Sequence, residues 1–195
     1  GQPVNPSAFI PFDVFCQLIT QFDELTDLHL QGLGEPLLHP RFFDMVHFAA
    51  QRGIRVSTNT NMTIMTDARA AECVTSGLHT MNVSLDGATA AVYESIRVKG
   101  RFHKVLCNLR RLIKAKSAAQ TALPHVHLVA VVMRQNIDEL PGLVRLASEE
   151  GAESLSVQQL CHDFGESSLP AHYQPMRRFI DAQKLQKDDR KHVME

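Results

Sequence analysis

Residues 42–59 read FFDMVHFAAQRGIRVSTN, and the periodicity of this stretch changes halfway along. Phe42, Met45, Val46 and Ala49 recur at i, i+3, i+4 and i+7, which places them on one buried stripe of a helix. Gly53 stands just past the last turn, where a residue with positive φ closes a helix. Ile54-Arg55-Val56-Ser57-Thr58-Asn59 then reads as a strand rich in β-branched residues. A helix closed by glycine and followed at once by a strand is the repeating unit of an α/β fold.

The same phrase occurs twice more. DARAAECVTSG runs into LHTMNVSLDG, and LPGLVRLASEEG runs into AESLSVQQL, with Gly77 and Gly151 at the positions equivalent to Gly53. Thr66 reads as an N-cap, Asn136 with Glu139 as a capping box, and Pro40 as a first helical residue. The expected order is helix 10–21, strand 26–32, helix 41–52, strand 54–59, helix 66–76 and strand 79–86. A helical region at 89–119, broken near Gly100, follows. Strand 125–133, helix 137–150, strand 153–160 and a last helix near 172–186 complete the chain. Alternating strands and crossover helices imply parallel strands with right-handed crossovers, in a barrel or an open doubly wound sheet. Residues 1–160 read as one core, and 161–195 as a C-terminal extension ending in a solvated tail.

Composition narrows the function classes. Of 195 residues, 44% are hydrophobic and 21% charged, and 20 Lys and Arg against 21 Asp and Glu leave a net charge of −1. That balance argues against a nucleic-acid coat. No apolar run reaches the ~20 residues of a membrane span, and no secretory signal is visible. The four cysteines, Cys16, Cys73, Cys107 and Cys161, are dispersed. They read as reduced thiols of a cytoplasmic protein, the first three as small buried hydrophobes on helices.

Parallel βα arrays bind ligands at the C-terminal ends of their strands. Four segments there carry suitable chemistry. In Gly32-Leu33-Gly34-Glu35-Pro36, glycines allow a ligand to approach the backbone, and the carboxylate can accept from an ammonium group; a plain βα turn explains the same residues. Thr58 and Asn59 close the next strand, as residues of an ordinary Asn-containing loop also would. Asn82, Ser84 and Asp86 alternate on one strand face, with Ser84 and Asp86 placed for ribose hydroxyls; Asp86-Gly87 equally suits a simple turn. Arg97 can fork a carboxylate, or merely pair with Glu94 on the surface.

Taken together, these segments resemble the radical S-adenosylmethionine (radical SAM) superfamily over roughly residues 9–160. GLGEPLLHP is similar to its Gly-Gly-Glu-Pro motif, with Leu33 in place of a glycine. STNTNMTIMT is similar to its Thr-Asn-Gly run, with Thr60 in place of glycine. VSLDGATAAVYESIR resembles the ribose segment with its arginine, and VVMRQNIDELPGLVRLASEEGA the next strand and helix. The resemblance implies a partial parallel (β/α) barrel with about five strands present and the first missing. It implies that Gly34 and Glu35 hold the amino group of SAM, with Thr58 and Asn59 nearby. Ser84 and Asp86 would lie by the ribose, and Arg97 by the methionine carboxylate.

It also implies a [4Fe–4S] cluster, an electron donor, and a small-molecule or peptide substrate. The cluster is usually held by a C-x-x-x-C-x-x-C loop after the first strand. No such loop occurs here; Cys73 and Cys107 are 34 residues apart. The expectation is that the first strand and cluster loop lie upstream of Gly1. The alternatives are a non-catalytic relative that never had them, and an unrelated βα-barrel lyase. No metal ligand is assigned to this chain. The edge of strand 26–32, without its neighbour, is expected to promote self-association. Cys161 and His162 follow the last strand, and the substrate is not legible.

Overall fold

The computed structural model describes residues 9–160, 174–186 and 189. Cys161 and His162 lie outside them, as does part of the 161–195 extension.

The strands are β1 (Asp27–His29), β2 (Arg55–Thr60), β3 (Thr80–Ser84), β4 (His125–Val132) and β5 (Ser154–Gln159). They form one sheet in sequential order, β1-β2-β3-β4-β5, and every pair is parallel. The helices are α1 (Phe12–Ile19), α2 (Phe42–Ala50), α3 (Asp67–Thr75), α4 (Ala90–Ile96), α5 (Phe102–Ala118), α6 (Leu140–Glu149) and α7 (Gln174–Gln183). Sequential order with helical crossovers on a single side of each strand is the arrangement of a barrel wall, not of a doubly wound sheet whose order reverses.

The glycine punctuation holds. Gly53, Gly77 and Gly151 have φ of 78°, 83° and 74°. At Gly77 the lack of a side chain is needed twice, because a Cβ would also meet Ala50 Cβ at 2.7 Å. The α2 stripe is buried as its period requires: Phe42, Met45, Val46 and Ala49 are at most 2% exposed. Thr66 caps α3, its hydroxyl accepting from Arg69 N.

Two helix starts differ from expectation. Pro40 lies outside α2, which begins at Phe42, because Pro36–Leu38 form a separate 3₁₀ turn that ends at His39. Asn136 caps no helix with its side chain. Its amide instead donates to Asp86 O and Val131 O, and its Oδ1 accepts from Met133 N. Glu139 serves another helix: it accepts from the backbone N–H of Ala88 and Thr89 at the start of α4. The expected break near Gly100 is present, between α4 and α5.

The sheet has two unlike faces. Val56, Thr58, Met81, Val83, Val126, Leu128 and Ala130 are fully buried against the helices. Ser57, Asn59, Asn82, Ser84 and His127 alternate with them on the other face and are partly exposed. That second face carries a polar chain: His29 Nε2 and Asn59 Nδ2 both reach Gln31 Oε1 at 2.7 Å, and Asn82 Nδ2 donates to Asn59 Oδ1 at 2.8 Å. Such satisfied amides make a polar interior tolerable.

Among the described residues, no strand pairs with the outer edge of β1. Leu28 and Leu30 are half-buried there. No helix among the described residues is long and apolar enough to cross a membrane.

Candidate functional site

The expected site residues fall into two groups at the C-terminal ends of the strands. The first surrounds the loop after β1. Gly32 and Gly34 have nothing within 4 Å of a built Cβ, and neither has positive φ. The fold itself therefore does not demand glycine at either position, and an open backbone is what a closely approaching ligand needs. Leu33 between them is fully exposed. Gly32, Gly34 and Glu35 border a cavity of about 520 Å³ whose wall continues through Leu30, Leu38, Phe42 and Met45.

Glu35 is occupied by its own surroundings. One oxygen accepts from Leu37 N at 3.2 Å and from Thr60 Oγ1 at 2.7 Å; the other accepts from Asn61 N at 2.7 Å. The side chain caps the 3₁₀ turn and ties the end of β1 to the end of β2. Thr60, which replaces the expected glycine, is thus a partner of Glu35.

Thr58 and Asn59 part company, since neighbours on a strand face opposite ways. Asn59 belongs to the polar chain on the open face. Thr58 is fully buried and donates to Leu30 O at 2.8 Å. This corrects its place among the ligand-facing residues: its hydroxyl is spent on the neighbouring strand, on the helix side of the sheet. The alternation of Val56, Thr58 and Thr60 was the available signal.

The second group lies at the ends of β3 and β4. Ser84 is partly exposed on the open face. Asp86 is buried, with its side chain only 3% exposed against 37% for Arg97. Its Oδ2 accepts from Arg97 Nε at 2.5 Å and its Oδ1 from Val131 N at 2.8 Å. Arg97 therefore does not pair with Glu94, which accepts from Phe102 N at the start of α5 and faces Arg101. Gly87 is sterically required, as a Cβ would meet Tyr93 N at 2.7 Å. Sequence reasoning missed the parts played by Val131, Asn136 and Glu139, whose partners lie 45 to 51 residues away.

The described residues do not suit an iron–sulfur cluster. Among the described residues, no three His, Cys, Asp or Glu side chains converge on a common point. Cys16, Cys73 and Cys107 sit on α1, α3 and α5. Burial pushes the Cys73 thiol up to about 12, against the pull of Lys116. Cys107 is exposed, contrary to the expectation of a buried hydrophobe. The organic part of a SAM molecule fits better. The bare backbone of Gly32 and Gly34 and the partly exposed guanidinium of Arg97 are a cradle and a cation at separate strand ends.

The radical SAM superfamily model matches residues 6–147. The chain is 28% identical over 154 residues to the tungsten-containing aldehyde ferredoxin oxidoreductase cofactor-modifying protein of Pyrococcus furiosus, covering 76% of this chain and 43% of that one. It is 32% identical over 121 residues to the mycofactocin maturase MftC of Mycolicibacterium smegmatis, covering 62% of this chain and 29% of that one. The chain thus spans less than half the length of these relatives. Streptococcus suis SuiB, solved with S-adenosylmethionine, shares the fold with a TM-score of 0.67 at 13% identity, over 88% of this chain and 40% of that one. With the family model covering most of its length, the chain belongs to the radical SAM superfamily.

Proposed function

We propose that this chain is the SAM-holding core of a radical SAM enzyme. The observation that carries the proposal is the pairing of an open glycine backbone after β1 with an Arg97 guanidinium held at the β3–β4 end. Gly34 and its neighbouring carbonyls would take the ammonium group, and Arg97 the carboxylate. Ser84, with Asn59 on the adjacent strand, would lie under the ribose. Glu35 would act by fixing the loop.

In such an enzyme a [4Fe–4S] cluster would supply the electron for reductive cleavage of the bound SAM, the chemistry that would lead to hydrogen abstraction from the substrate. In this proposal the part of the residues named above would be to bind and orient SAM. A peptide substrate is the preferred reading, because the relatives include a maturase and SuiB has also been solved with its precursor peptide SuiA. The electron donor, and association through the open β1 edge, belong to the same proposal.

The test is titration of the purified protein with SAM, followed by calorimetry. Without the chelate from iron, the expected Kd is roughly millimolar. Arg97→Ala should weaken it at least about tenfold, since a carboxylate loses its charged partner. No binding by the wild type at millimolar SAM would defeat the reading.

A further inference from the structure

We propose that Asp86 is a positioning residue, which aims Arg97 at the carboxylate of the bound amino acid, and that it does not touch the ribose. The inference rests on the SAM reading above and assigns Asp86 a different part from the one its motif implied.

Three observations carry it. First, the Asp86 side chain is 3% exposed, so a ribose hydroxyl has almost no surface to reach. Second, its two oxygens are bound from different directions, by Arg97 Nε and by Val131 N. Third, the bond to Arg97 is made at Nε. Among the described residues no bond is made to either terminal amine of Arg97, while its side chain remains 37% exposed. A guanidinium held by Nε presents both terminal amines as a fork, the geometry that suits a carboxylate.

The aim is fixed by a rigid frame. Arg97 N donates to Tyr93 O, and its carbonyl accepts from Gly100 N. Asp86 O accepts from the buried Asn136 amide, and Leu85 N donates to Val129 O. Glu139 ties the start of α4 to the same region through Ala88 and Thr89. The carboxylate and the guanidinium are therefore anchored from both sides of the β3–β4 junction. A site held this way loses little freedom on binding.

The experiment compares SAM with decarboxylated SAM, which keeps the ribose and lacks only the carboxylate. Asp86→Asn keeps an oxygen for Val131 N but turns an amide donor toward Arg97 Nε. It should weaken SAM at least about tenfold, the loss of a charge-assisted bond. It should leave decarboxylated SAM within about twofold. Arg97→Ala should show the same discrimination, and the double variant should be no worse than Arg97→Ala alone. Should Asp86→Asn fail to fold, Arg97→Lys replaces it. A single ammonium cannot hold Asp86 and fork a ligand, so SAM alone should weaken. Equal losses for both ligands in Asp86→Asn, or wild-type affinity for both, overturn the inference, as does wild-type SAM affinity in Arg97→Lys. Failure of the wild type to bind either ligand instead overturns the SAM reading, and the inference with it.

Discussion

The two ends of this site use a carboxylate in opposite ways. After β1, Glu35 collects three donors from its own loop and from the end of β2, and the group proposed to face the ligand is the bare backbone at Gly32 and Gly34. After β3, Asp86 collects one backbone donor and one side chain, and the group proposed to face the ligand is the guanidinium of Arg97. Neither acid needs to meet the ligand. In the proposed reading both would fix the group that does, one by shaping backbone and the other by aiming a cation. A carboxylate at a strand end is thus weak evidence for a ligand contact until its donors are counted.

The comparison breaks first at Glu35. Glu35→Ala strands Leu37 N, Asn61 N and the Thr60 hydroxyl at a partly buried site. The expected cost is about 2–3 kcal/mol of stability, read by urea denaturation, with loss of SAM binding as the loop loosens. Glu35→Gln, which keeps acceptor capacity, should recover part of both. Full stability in Glu35→Ala with lost binding would mean that the carboxylate faces the ligand after all.

Gly34→Ala sharpens the same contrast. Its Cβ would enter open space, and its φ is not in the left-handed region. Stability should move by less than about 0.5 kcal/mol. SAM affinity should fall about tenfold, roughly 1.4 kcal/mol, because the methyl group occupies the approach to the backbone. Unchanged affinity would show that the ligand does not lie against this loop.

Much of the fold was legible from sequence, for reasons that are local. The α2 stripe, the positive-φ glycines and the Thr66 cap depend on residues within one turn of each other, where spacing alone decides. The family motifs were also legible, since they are short strings on successive strand ends, and membership sets aside the unrelated lyase. What failed was choice of partner. Arg97 had Glu94 three residues away, yet Asp86 at eleven residues holds it, because the short helix α4 returns its C-cap residue Arg97 to the turn out of β3 where Asp86 stands. Asn136 and Glu139 have the spacing of a capping box, yet each serves a segment about fifty residues distant. No local pattern encodes a bond made by the packing of two strand ends.

Thr58 and Asn59 give the smallest and most discriminating test, because alternation along β2 sets adjacent residues to opposite tasks. Thr58→Val preserves shape and strand preference but removes the hydroxyl that donates to Leu30 O at 2.8 Å. The loss should be about 1 kcal/mol, or a Tm lower by about 2–4 °C, with SAM affinity unchanged. Asn59→Ala should do the reverse. Its side chain is partly exposed, so stability should fall little, but Gln31 and Asn82 lose the partner between them on the face proposed to lie under the ribose. SAM affinity should drop a few-fold, about 0.5–1 kcal/mol. If Thr58→Val weakened SAM while its Tm held, the buried hydroxyl would have to reach the ligand face, and the assignment of the two sheet faces on which the whole site rests would be reversed.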